Sequence, residues 1–158
     1  MRQPTRKMIS IAASALVGIV LGAGTAQAQP SPEQQVIHLT NKHRAAVGCG
    51  ALTANPALMS AAKRHADQMA RHDHFSHNGV RGEDPGHRIS AAGYPAQKWA
   101  ENIAYAQTTP RAVVAAWMNS PAHRVNMLDC ALTDIGVGRS LNSKKQVYWA
   151  QDFGTPIG

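Results

Sequence analysis

The sequence predicts an α+β domain with helices packed on an antiparallel sheet. Three observations carry this reading. Apolar residues recur at helical spacing through the middle of the chain, the period drops to two near its end, and capping residues followed by proline mark the helix starts.

The first helix opens at Ser31-Pro32-Glu33-Gln34, with Ser at the cap, Pro in the first turn and Gln three residues on. Val36, Leu39, Thr40, His43 and Val47 follow at helical spacing, and Gly48 ends the run. Asn41 and Arg44 fall on another face, within reach of neighbouring backbone. Asn55-Pro56 starts a second helix whose stripe of Leu58, Ala62, His65 and Met69 runs out near His72. A lone histidine in such a stripe reads as core, so His65 is left outside the candidate site.

Residues 78–98 hold four glycines and two prolines with little periodicity and read as a long surface loop, in which Tyr94 and Pro95 are a candidate ligand rim. Glu101 to Ala106 reads as a short strand. Thr109-Pro110 caps a third helix with Val113, Val114 and Trp117 inward, and Ser120-Pro121 begins a shorter one carrying His123. Ile135 and Val137 alternate with glycines. After a polar turn at residues 142–145, Val147, Trp149, Gln151 and Phe153 alternate with Tyr148, Ala150 and Asp152, which predicts a β-hairpin.

Ahead of these elements stand Arg2, Arg6 and Lys7, an apolar run from Met8 to Leu21, and Ala26-Gln27-Ala28. This is the layout of a secretory signal peptide, with cleavage expected after Ala28. An uncleaved anchor fits less well, because Gly, Ala and Ser dilute the run. The expected division is residues 1–28 as signal and 29–158 as one domain, exported and not integral to the membrane. Without the signal, thirteen Lys/Arg face nine Asp/Glu, a net charge of +4. The basic residues are scattered and not interleaved with aromatics, which argues against nucleic-acid binding. A monomer is expected. The two cysteines, Cys49 and Cys130, are expected to pair in an oxidising compartment. By the chain-entropy model such a loop stabilises by about 4 kcal/mol before native strain is discounted.

The chemistry-bearing residues concentrate in three segments. His72-Asp73-His74-Phe75-Ser76-His77 supplies three imidazoles, Trp99-Ala100-Glu101-Asn102-Ile103 a carboxylate, and Trp117 to Arg124 contains Ser120 and His123. His72 and His74 either extend a metal site or, the preferred reading, simply sit at a helix C-terminus, where a cation is favoured. Two neutral imidazoles beside a carboxylate can ligate a divalent metal and leave positions open, or the carboxylate can orient one imidazole from behind. The same residues also suit a buried polar network. A Ser120-His123-Glu101 hydrolase triad can be drawn, but Ser120 precedes Pro121 and suits a helix cap, and no Gly-x-Ser-x-Gly elbow is present. Trp99 and Trp117 read as core, with a wall of the cleft as the alternative for either, and Asn102 as a residue that holds backbone.

Asn41-x-x-Arg44, Phe75-Ser76-His77, Glu101-Asn102-Ile103, Trp117-Met118-Asn119-Ser120-Pro121-x-His123-Arg124, Asp134-Ile135-Gly136-Val137-Gly138 and Tyr148-Trp149-Ala150-Gln151-x-Phe153-Gly154 resemble the CAP superfamily in that order. This superfamily comprises cysteine-rich secretory, antigen-5 and pathogenesis-related proteins, and the chain looks closest to its bacterial secreted branch. The resemblance covers about residues 33–154 and implies an α-β-α sandwich with two His and two Glu around a cleft. By motif these fall on His77, Glu101 and His123, while the second Glu falls on Ser120.

The resemblance implies a binding module for a lipid, sterol-like or cell-envelope ligand, with or without zinc or another divalent metal on His77 and His123. The competing expectation is a metal-assisted peptidase or glycan hydrolase, with Glu101 as the candidate catalytic base. A third is a structural or antigenic surface protein without a small-molecule ligand.

Overall fold

The structure is a computed structural model, described here for residues 28–158; the predicted signal segment up to residue 27 lies outside the described residues. Five helices flank one four-stranded sheet: α1 (Pro32–Ala46), β1 (Thr53–Ala54), α2 (Pro56–His72), α3 (Pro85–Ala91), β2 (Ala96–Tyr105), α4 (Pro110–Asn119), α5 (Pro121–Met127), β3 (Asp134–Leu141) and β4 (Val147–Pro156). The strand order is β1-β3-β4-β2. β3 and β4 form the predicted hairpin, β2 pairs antiparallel with β4, and the short β1 runs parallel to β3. The sheet is therefore mixed, where the sequence predicts a purely antiparallel one. A strand of only two residues is too short to leave a period in the sequence.

Local chemistry explains the helix starts. Ser31 and Gln34 form the reciprocal capping box at α1, and the Asn55 side chain accepts from Ala57 and Leu58 N–H at α2. The predicted loop at 78–98 instead contains α3, capped by Asp84 accepting from His87 N–H, followed by the start of β2 at Ala96. Asp84-Pro85 is a cap-and-proline signal of the same kind, hidden among glycines.

The layers follow from alternation along β3 and β4. On one face Val137, Trp149, Phe153 and Ile135 join Val36 of α1 and Val113, Val114 and Trp117 of α4 in one core. On the other, Tyr148, Ala150 and Ile103 pack against Ala62, Ala66 and Met69 of α2. The α2 backbone sits directly on the sheet at Gly136 and Gly138. A Cβ at either position would collide with the main chain of Leu58 or Ala62, which is why this face reads as glycine in alternation.

Arg44 closes the far end. It is 1% exposed, and its guanidinium donates to the carbonyls of Gly50, Met127, Asp129 and Leu132, beside the Cys49–Cys130 disulfide. Asn41 bonds both backbone groups of Leu52. Two aromatic expectations are corrected. Trp117 is core, but Trp99 is 44% exposed and lies over Gly86. Tyr94 is no rim residue: it is buried against Gly154, with its hydroxyl donating to Asp134 at 2.7 Å.

Candidate functional site

The site forms where β2, the edge strand, passes the end of α2 and the N-terminal half of α3. Glu101 points from β2 toward the α2 layer, paired in register with Asp152 of β4. The chain leaving α2 turns at Asp73 in the left-handed region (φ 52°), a conformation held by Asp73's contacts with Tyr148 and Asn142. His65 Nε2 then donates to the Ser76 carbonyl at 3.0 Å, which fixes the next turn and presents His77 to β2. His77 Nδ1 donates to Glu101 Oε1 at 2.7 Å.

Arg88 of α3 completes the arrangement. Its Nη2 meets Glu101 Oε2 at 2.5 Å, and its Nη1 donates to the carbonyls of His77 and Glu83, both at 2.8 Å. Both oxygens of Glu101 are thus engaged by cationic or N–H donors. Burial alone would raise the Glu101 pKa, but the His77 hydrogen bond and the nearby positive charge of Arg88 outweigh it and hold the carboxyl below its usual range. Asp152 is the opposite case. Burial first, then the adjacent Glu101, push its pKa well above the usual carboxylate range, which favours the acid form. As a carboxylate neither oxygen would have a donor. As an acid it can donate to Glu101, the contact its position allows.

His123 comes from α5, whose backbone is tied to β2 by Asn102 Nδ2 donating to the His123 carbonyl at 3.1 Å. Its ring Nδ1 is buried without a partner. Burial, then the proximity of His77, lower its pKa, so the imidazole is neutral at pH 7. With His77 donating through Nδ1 to Glu101, Nε2 is the ring nitrogen left to meet a ligand.

The structure therefore brings His77 and Glu101 into contact and places His123 nearby, while Ser120 stands apart. Ser120 occupies the cap position of α5 but makes no side-chain cap bond, a correction to its expected role. Among the described residues Ser120 and His123 meet only through the backbone, His123 N–H donating to the Ser120 carbonyl at 3.1 Å, with no side-chain hydrogen bond between them. Glu101 bonds His77 rather than His123, so the paper triad is not assembled. His72 and His74 close α2 without joining the Glu101 cluster; the His74 N–H caps the Met69 carbonyl. His65 is core as expected, but its Nε2 also lies 3.9 Å from Glu101 Oε2, which makes it part of the cluster.

Sequence reasoning missed Arg88 and Asp152. Arg88 sits in the helix hidden within the apparent loop. Asp152 did carry a signal: it is an acidic residue in an otherwise buried central strand, opposite the strand that carries Glu101.

Among the described residues no three His, Cys, Asp or Glu side chains are grouped to hold a metal ion. His77 and His123 offer two imidazoles, with Glu101 behind that of His77. Two imidazoles are one fewer than the three protein ligands of a typical open metal site, so a metal there would take its remaining ligands from outside the described residues.

A three-layer α-β-α sandwich with a histidine–glutamate cluster at its edge strand defines a CAP-type domain. Residues 37–153 match the family described as "CAP: Cysteine-rich secretory protein family", and the chain belongs to that family. It is 34% identical over 121 residues to the Bacillus subtilis (strain 168) "Uncharacterized protein YkwD", covering 77% of this chain and 46% of that one. It is 30% identical over 125 residues to the "Uncharacterized membrane protein YlbC" of the same strain, covering 79% and 35%. The chain thus spans less than half the length of either curated relative.

Among solved structures, an extracellular protein containing a SCP domain from Bacillus anthracis superposes with a TM-score of 0.71 at 28% identity, covering 78% of this chain and 40% of that one. An outer surface protein from Borrelia burgdorferi shares the fold, with a TM-score of 0.72 at 21% identity and coverage of 77% and 90%. No helix among the described residues is long and apolar enough to cross a membrane.

Proposed function

We propose that this is an exported CAP-family binding module that presents His77 and His123 to a divalent metal and an envelope-type ligand, and that it is not a hydrolase. The engagement of both Glu101 oxygens carries this reading. A general base needs a free lone pair within reach of the water or hydroxyl it deprotonates. Glu101 is buried, held by Arg88 and His77, and depressed in pKa, which suits it to orienting His77 instead. A bound metal would supply Lewis acidity and open coordination positions for a polar ligand group.

We also propose a place for a lipid-type ligand. A groove of about 450 Å³ between α1 and α4 is lined by Leu39, Val114, Ala115 and Met118, together with Lys42 and Arg111. Apolar walls beside two cations suit an acyl chain with an anionic head.

Calorimetric titration with zinc at neutral pH tests the metal half, comparing the protein with its His77→Ala/His123→Ala variant. Stoichiometric binding that disappears in the variant is expected. Binding unchanged by the substitutions would refute the assignment. Turnover of a peptide or glycan substrate that vanished in Glu101→Gln would refute the non-catalytic reading. Export is tested by N-terminal sequencing of protein recovered from the medium, expected to begin at Gln29.

A further inference from the structure

A second concavity, of about 590 Å³, is bounded by α2, α3 and the loop between them. Its lining carries four guanidinium groups, from Arg64, Arg71, Arg81 and Arg88, against the carboxylates of Asp67 and Glu83. Both carboxylates already have cations. Lys63 Nζ bonds both oxygens of Asp67, at 2.6 and 2.7 Å, and Arg81 Nε bonds Glu83 at 2.9 Å. Arg88 is committed to Glu101. Arg64 and Arg71 are left without a carboxylate among the described residues; Arg64 bonds only the Ser60 hydroxyl. They are exposed and lie seven residues apart on α2, so they share a face with a rise of about 10 Å between them.

The opposite wall is fixed in place. Arg88 Nη1 ties the carbonyls of His77 and Glu83 together, and Gly79 N–H donates to the Glu83 carbonyl at 2.8 Å. Gly79 lies so close to the Glu83 and Gln68 side chains that a Cβ there would collide with them. The groove thus pairs a hydrogen-bonded wall with two guanidinium forks that have no carboxylate partner among the described residues, the group best matched to phosphate oxygens.

We infer that the groove between α2 and α3 binds an anionic ligand carrying at least two phosphate groups, one for Arg64 and one for Arg71. Neither arginine belongs to the His77/His123 cleft, so this site stands or falls independently of metal binding there. The phosphates can belong to a free oligophosphate chain or to lipid headgroups at a surface, and salt weakens binding in either case.

The test titrates the protein with inorganic tripolyphosphate at low salt in the presence of EDTA. In parallel it is co-sedimented with phosphatidylglycerol vesicles, with phosphatidylcholine vesicles as the blank. Arg64→Gln/Arg71→Gln is compared with Arg124→Gln/Lys145→Asn, which removes the same charge at exposed positions outside the groove. The expected result is about a tenfold or greater loss of affinity in the first variant and under about twofold in the second. Whichever probe shows that contrast identifies the source of the phosphate. Binding to neither probe, or equal weakening in both variants, would overturn the inference.

Discussion

Glu101 and Asn102 are neighbours on one strand and face opposite sides of the sheet, and the networks they anchor are built on different terms. Asn102 Nδ2 donates to Gln151 Oε1 and the His123 carbonyl, both at 3.1 Å, and its Oδ1 accepts from Asn126 at 2.9 Å. Gln151 continues to Thr40 Oγ1 at 3.0 Å, which donates to the Val36 carbonyl. Every member is uncharged, and none of these three buried side chains lacks a partner. Around Glu101 every member can ionise, and His65 Nδ1, Arg88 Nε and both Asp152 oxygens are left over. A satisfied neutral network fixes a fold. An ionisable one with unfilled positions is the arrangement in which binding or proton chemistry is found.

The largest effect is expected from breaking the ionic side. Arg88→Met leaves the buried Glu101 with only imidazole partners, His77 and the more distant His65, and costs about 3–5 kcal/mol, read by urea denaturation. On the neutral side Gln151→Met leaves Thr40 and Asn102 each short of one bond, and about 1–3 kcal/mol is expected. A loss at Gln151 larger than at Arg88 would break the contrast.

Asp152→Asn sharpens it through pH. The depressed pKa values of His65 and His123 contribute stability that is present at neutral pH and lost as pH falls below the free-imidazole value of 6.5. Glu101, also depressed, adds a term lost below its free value of 4.5. Asp152 runs the other way: with its pKa raised, its contribution is full below the free value of 3.8 and lost as pH rises. Asp152→Asn should therefore gain stability over the parent at pH 7, and the gain should vanish toward pH 3. A gain independent of pH would contradict a protonated Asp152.

Much of this was legible in the sequence, and the limits have physical causes. The capped helices and the hairpin follow from short-range chemistry, and the disulfide from two cysteines in a chain read as exported. That Asn41 and Arg44 would hold backbone was legible, but not that Arg44 would reach Met127, Asp129 and Leu132 across the fold. His77 and Glu101 follow from motif, and the structure puts them 2.7 Å apart. Arg88 was not legible, because glycines masked a helix of seven residues. Asp152 reaches Glu101 only through strand register, which no local pattern encodes. Trp99 misled because aromatic character does not fix burial on an edge strand.

The most direct test of the contrast is zinc affinity in Glu101→Gln beside Gln151→Met. Glu101→Gln should weaken zinc binding by about 10–100-fold, since the partner behind a metal-binding imidazole sets its orientation and basicity. Gln151→Met should lose stability yet keep affinity within about twofold of the parent, as expected for a residue that only holds the fold. Equal losses of affinity in the two variants, or none in Glu101→Gln, would contradict the division of labour between the two faces.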